Sequence, residues 1–98
     1  IDEDSWQKVM VKGAELAAAV FVHAREAFTT CDWDARSLET ALFAYAEETG
    51  TAKGKVQAPV RVAVTGRSVG PPLFESLEVL GRDETLRRIA AAEARLGA

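Results

Sequence analysis

The chain predicts an all-α fold, a small helical bundle in which two longer helices form a hairpin and shorter helices follow. Three observations support this. Apolar residues recur at three-and-four spacing through the first half, the signature of one helical face. The apolar fraction, 48%, leans on alanine and holds few aromatics, which suits packed helices better than stacked sheets. Turn residues such as Gly50, Gly66, Gly70-Pro71-Pro72 and Gly81 fall between the periodic segments. Ninety-eight residues make one small domain, 1–98, rather than two.

The first periodic segment is expected from about Ser5 to Phe28, with Trp6, Val9, Met10, Leu16, Ala17, Val20, Phe21, Ala24 and Phe28 on one stripe. Asp4 or Ser5 is suited to cap its start, where Asp2 to Asp4 also complement the helix dipole. Gly13 costs this helix about 1 kcal/mol against alanine and marks close contact with another helix. Asp32-Trp33-Asp34 reads as a turn, with Asp34 capping a second helix from Ala35 to Thr49 that Gly50 ends. Trp33 is expected to pack back on the first helix, and the two helices to form an antiparallel hairpin.

Val60-Arg61-Val62-Ala63-Val64-Thr65 alternates and is rich in β-branched residues, which favours a strand on propensity. A short helix with Pro59 in its first turn, ended by Gly66, is the other reading. Ser68 to Pro72 forms a loop, with Pro72 suited to the first helical position. Leu73, Phe74, Leu77 and Leu80 then define a helix that Gly81 stops. A last helix begins at Arg82 or Asp83, and its arginines Arg87, Arg88 and Arg95 lie toward the end the dipole prefers.

Net charge is −3, which argues against indiscriminate binding to nucleic acid. The distribution is uneven. From Thr49 to Phe74 stand Lys53, Lys55, Arg61 and Arg67 with no acidic residue, a basic island in an acidic chain and a candidate anion contact. No apolar run reaches membrane-spanning length and no signal-peptide pattern opens the chain, so no membrane contact is expected, and with a lone cysteine a cytoplasmic setting is the default. The first residue, Ile1, is not methionine, which suggests a piece of a longer protein or a processed chain.

Groups able to do chemistry are few. His23 is the only histidine, and a general acid–base or nucleophilic site built on it needs an oriented partner that Cys31, eight residues on, does not supply. One cysteine and one histidine make neither a disulfide nor a zinc site of the usual kind. No catalytic residue, metal site or bound cofactor is therefore expected in this chain. Thr65 to Gly70 lacks the GxxxxGK[ST] phosphate-loop pattern. It still offers backbone donors, the Ser68 hydroxyl and the Arg67 guanidinium, which suit phosphate oxygens or the edges of unstacked bases. Leu73 and Phe74 add apolar surface beside a loop stiffened by Pro71-Pro72.

The stretch Lys53 to Leu96 carries P-V-R-V-A-V-T-G, then P-P-L-F-E, then L-G-R-D-E-T-L-R-R-I, in that order. In these residues the chain resembles the C-terminal anticodon-binding domain of bacterial glutamyl-tRNA synthetases, class I aminoacyl-tRNA synthetases. Residues 1–49 match only in pattern. The resemblance implies an all-helical anticodon-binding domain, and so favours helix over strand for 60–65. It implies tRNA, through its anticodon loop, as partner, alongside the catalytic and helical domains of a parent synthetase. It places Arg61, Gly70, Pro71 and Leu73 near the anticodon, with Arg67, Lys53 and Lys55 as phosphate contacts inferred from charge. Val60 stands where leucine is common, Pro72 where smaller residues occur, and Gly70 has no hydroxyl to offer. The family's HIGH-type and KMSKS-type catalytic signatures are absent, so ATP, magnesium and glutamate would bind elsewhere in the parent. The competing reading is a helical protein-interaction or scaffold domain that uses a Leu73, Phe74 and Leu77 surface.

Overall fold

Helix starts and stops in the computed structural model, which describes Asp2–Gly97, follow local chemistry closely. Helix α1 covers Glu3–Trp6 and runs into a π-helical turn, Gln7–Val11. Helices α2 (Ala14–Thr30), α3 (Ala35–Thr49), α4 (Lys53–Thr65), α5 (Leu73–Leu80) and α6 (Arg82–Gly97) follow, and no strand occurs among the described residues. Ile1 and Ala98 lie outside the described residues.

The single first helix expected from sequence is broken in two. Asp2, not Asp4 or Ser5, caps α1, its carboxylate accepting from the Ser5 backbone N–H at 3.2 Å. The Lys12 N–H reaches the Gln7 carbonyl at 3.3 Å, a one-residue widening of the helix. Gly13 then leaves helical geometry at φ −115° and ψ 39°. A Cβ there would meet the Val9 carbonyl oxygen at 3.0 Å, so the close contact is with its own preceding turn, not with another helix. The apolar stripe runs through the break because both pieces bury it on the same core, from Met10 to Phe21.

Asp34 caps α3 through the Ser37 N–H at 2.9 Å, and Gly50 ends it at φ 69°. His23, in α2, bonds the Ala41 carbonyl in α3 at 2.7 Å. Numbers thus rise on one helix as they fall on the other from the turn at 31–34, and the hairpin is antiparallel. Trp33 packs nearly perpendicular to Phe28, with centroids 5.9 Å apart, and donates its indole N–H to the Leu77 carbonyl at 3.0 Å. Arg82 stacks over the same indole and donates to the carbonyls of Phe28 and Cys31, closing the C-terminal end of α2.

Segment 60–65 is helical, as the resemblance implied and propensity did not. Ala63 is buried together with Val60, Val62 and Val64, whereas a strand would have turned Ala63 outward with Arg61. Helix α4 is longer than the short helix anticipated, and Pro59 lies in its interior rather than its first turn. Pro72 stands one place before α5, as its cap, and not inside it.

Helix α2 is central, packed against α3, α4 and α6, with α5 bridging α3 and α6. Phe21, Phe28, Leu38, Leu42, Val56, Val60, Leu73, Leu77 and Ile89 are fully buried between them. Leu73 and Leu77 belong to this core and Phe74 is 7% exposed, so the protein-docking surface that the competing reading placed on them does not exist. α5 and α6 meet through one residue, Gly81, at φ 94° and ψ 158°, a region open only to glycine. Gly81→Ala is expected to cost about 1–3 kcal/mol, read as a lower urea midpoint. A wild-type midpoint would show that this corner relaxes.

Candidate nucleic-acid interface

Gly66 ends α4 in the left-handed region, at φ 81°, and turns the chain into the loop 66–72. Thr65 organises that turn, its hydroxyl donating to the Arg61 carbonyl at 2.7 Å and lying 3.2 Å from the Arg67 carbonyl. The Arg61 guanidinium reaches from α4 across to the Pro71 carbonyl at 2.7 Å. Helix and loop are therefore tied at both ends of the turn. The loop base is fixed to the chain start, since the Asp2 N–H donates to the Gly66 carbonyl at 2.8 Å. The Ser68 N–H donates to the Ser5 hydroxyl at 3.1 Å, which in turn donates to the Asp2 carboxylate at 2.7 Å. These hydrogen bonds hold a surface loop whose tip residues Val69, Gly70, Pro71 and Pro72 all stay exposed.

Asp2, Ser5, Thr65, Gly66, Arg67, Ser68 and Val69 line an open cavity of about 600 Å³ beside the loop. Hydrogen bonds from Ser5, with the nearby Arg67 charge adding to them, hold the Asp2 carboxyl below the usual carboxylate range. A second cavity, about 390 Å³, shares Thr65 and Gly66 and is rimmed by Arg87, Arg88 and Arg95. Those three arginines are engaged. Arg87 and Arg88 both hold Glu84, Arg88 also donates to the Val64 carbonyl at 2.7 Å, and Arg95 pairs with Glu3 while stacking 4.0 Å over Trp6.

Hydrogen bonds from Arg87, and then Arg88, lower the Glu84 carboxyl from its ordinary 4.5 to about 2. A carboxyl depressed on folding contributes stability that is present in full above 4.5 and is lost as pH falls toward about 2. The thermal midpoints of wild type and Glu84→Gln are therefore expected to converge over that interval. A constant gap down to pH 2 would contradict the pairing.

The residues singled out from sequence separate into two places. Arg61, Arg67, Gly70 and Pro71 gather at the C-terminal end of α4. Lys53 and Lys55 stand toward its other end, about 15–18 Å by helical rise from Thr65 at the loop, and do not join Arg67 there. Lys53 is placed over the Phe43 ring at 5.3 Å. Leu73 is 1% exposed, so its side chain packs the core and cannot lie against a base as anticipated. Val69, 76% exposed at the loop tip, is the apolar side chain free to do so, and sequence reasoning passed over it. A β-branched apolar residue inside a Gly- and Pro-rich loop was the available signal. Among the described residues no three His, Cys, Asp or Glu side chains gather to hold a metal ion, and no helix is long and apolar enough to cross a membrane.

Among the described residues, six α-helices form a bundle that ties a loop carrying Arg67, Pro71 and Pro72 to the C-terminal end of α4. The chain belongs to the anticodon binding domain family, whose model matches residues 1–93. It is similar to a glutamate–tRNA ligase from Salinispora arenicola, 57% identical over 98% of the chain and 20% of that relative. Glutamate–tRNA ligases from Streptomyces avermitilis (53% over 99% of the chain and 19% of the relative) and Thermobifida fusca (48%, over 99% and 20%) are also similar. The chain thus spans about one-fifth of the length of the curated relatives it matches.

Proposed function

We propose that this chain reads the anticodon loop of a glutamate tRNA, as part of an enzyme that joins glutamate to that tRNA. The observation that carries the reading is the Arg61–Pro71 hydrogen bond, which fixes a cation beside an exposed, stiffened loop. Arg61 has five N–H donors, and Pro71 takes one of them. Those left over have no protein acceptor among the described residues, so a base edge or phosphate can take them.

Val69 and Pro71 offer apolar faces on which a splayed base can stack, and Arg67 stands beside them as a charge for phosphate. Gly70, without a side chain, leaves its backbone groups open to a base. Such contacts hold a correct tRNA in the orientation that brings its acceptor end to a catalytic domain elsewhere in the parent, where ATP, magnesium and glutamate would bind.

The test is a titration of the chain with the anticodon stem-loop of a glutamate tRNA, and with the same stem carrying a scrambled loop, at low and moderate salt. Tighter binding of the cognate loop at both salts is expected. Equal binding of the two loops would refute base reading.

A further inference from the structure

We propose that the groove between the π-helical turn and the first half of α4 holds the sugar–phosphate backbone of the same RNA. The inference rests on the anticodon reading above. Lys8, Lys12 and Lys55 rim the groove, about 420 Å³ in volume, over a floor that includes Leu16, Ala58 and Pro59. All three lysines are exposed, no carboxylate lines the groove, and none of the three enters an ion pair among the described residues. This contrasts with the cavity on α6, where carboxylates occupy the three arginines.

Local backbone geometry shapes the groove. The π-helical turn carries Lys8 and Lys12 near one another on one face, and Gly13 lets the chain bend away directly after them. Pro59 has no N–H, so the Lys55 carbonyl lacks its i+4 helical donor. The residue that carries this carbonyl lines the groove with Lys8 and Lys12. The combination suits a phosphate flanked by a ribose, whose 2′-hydroxyl can donate. An acidic protein segment would match the lysines alone.

The groove is also continuous with the loop site. Ala58, Arg61 and Thr65 share the outer side of α4, so Ala58, which lines the groove, stands about one turn before Arg61. Lys55 and Arg61 are about 9 Å apart along the axis and about 120° apart around it. The rest of this net-acidic chain repels RNA and confines it there.

The test compares wild type, the triple variant Lys8→Gln/Lys12→Gln/Lys55→Gln and the distant control Arg36→Gln. Each is titrated with the cognate and scrambled stem-loops across a salt series, with helicity checked by circular dichroism. The triple variant is expected to flatten the salt slope by about 3, one for each lysine. It should weaken both RNAs by the same factor, about tenfold or more near 0.1 M salt, while Arg36→Gln keeps the wild-type slope. A wild-type slope in a folded triple variant overturns the proposal and leaves the groove to an acidic protein segment. A loss confined to the cognate loop also overturns it. If wild type binds both loops alike and the triple variant still flattens the slope, the backbone track stands and base reading fails. If wild type binds neither RNA, both fail.

Discussion

Phe28→Ala is expected to lose about 3–5 kcal/mol of stability, the range for emptying a buried aromatic site. Phe28 is fully buried on the central helix and packs nearly perpendicular to Trp33. Its backbone carbonyl is held by Arg82, so the surrounding turn is fixed from the other side and cannot easily collapse into the hole. A domain of this size has about 5–15 kcal/mol in total, and the variant should therefore sit near its own unfolding transition at 37 °C. The measurement is a urea titration followed by circular dichroism. A loss below about 1 kcal/mol would mean that the residues around Phe28, Trp33 among them, repack into the hole.

Arg61→Ala is expected to weaken binding to the cognate anticodon stem-loop by about 1–3 kcal/mol, the scale of one good base contact. Truncation removes the base-facing donors together with the tether to Pro71. Arg61→Lys separates the two roles, because lysine keeps the charge but not the planar fork. The lysine variant should retain the salt slope and lose discrimination between cognate and scrambled loops. Arg61 is only half-buried and contributes little to the core, so the thermal midpoint should hardly move in either variant. Unchanged affinity in the alanine variant would remove Arg61 from the site.

Much of the fold was legible because caps and glycines act locally. Asp34, Gly50 and Gly81 set their boundaries through contacts within a few residues, and those boundaries hold in the structure. Two elements were not legible. Val60 to Val64 reads as a strand from propensity, but burial on the helical face next to α2 overrides it. The break at Gly13 follows a one-residue widening of the preceding turn, where the Lys12 N–H reaches the Gln7 carbonyl, which the unbroken apolar period does not encode.

The site divides in the same way. The basic island was visible as composition, yet composition carries no coordinate along α4, so Lys53 and Lys55 were grouped with a loop they do not reach. Leu73 and Val69 are both apolar and four residues apart. Only the packing of α5 on α3 and α6 decides that Leu73 goes inside and Val69 stays out. The hydrogen bond from the Ser68 N–H to the Ser5 hydroxyl joins residues more than sixty positions apart and had no sequence signal at all.

Backbone amide shifts of the 15N-labelled chain, followed during titration with the glutamate-tRNA anticodon stem-loop, locate the contact surface residue by residue. Movement is expected at Arg61 and from Thr65 through Gly70, with amides of the hairpin turn at 31–34 unmoved. Shifts confined to that turn or to the outer face of α3, with Thr65 to Gly70 silent, would contradict the assignment of this helix end as the place where anticodon nucleotides are gripped.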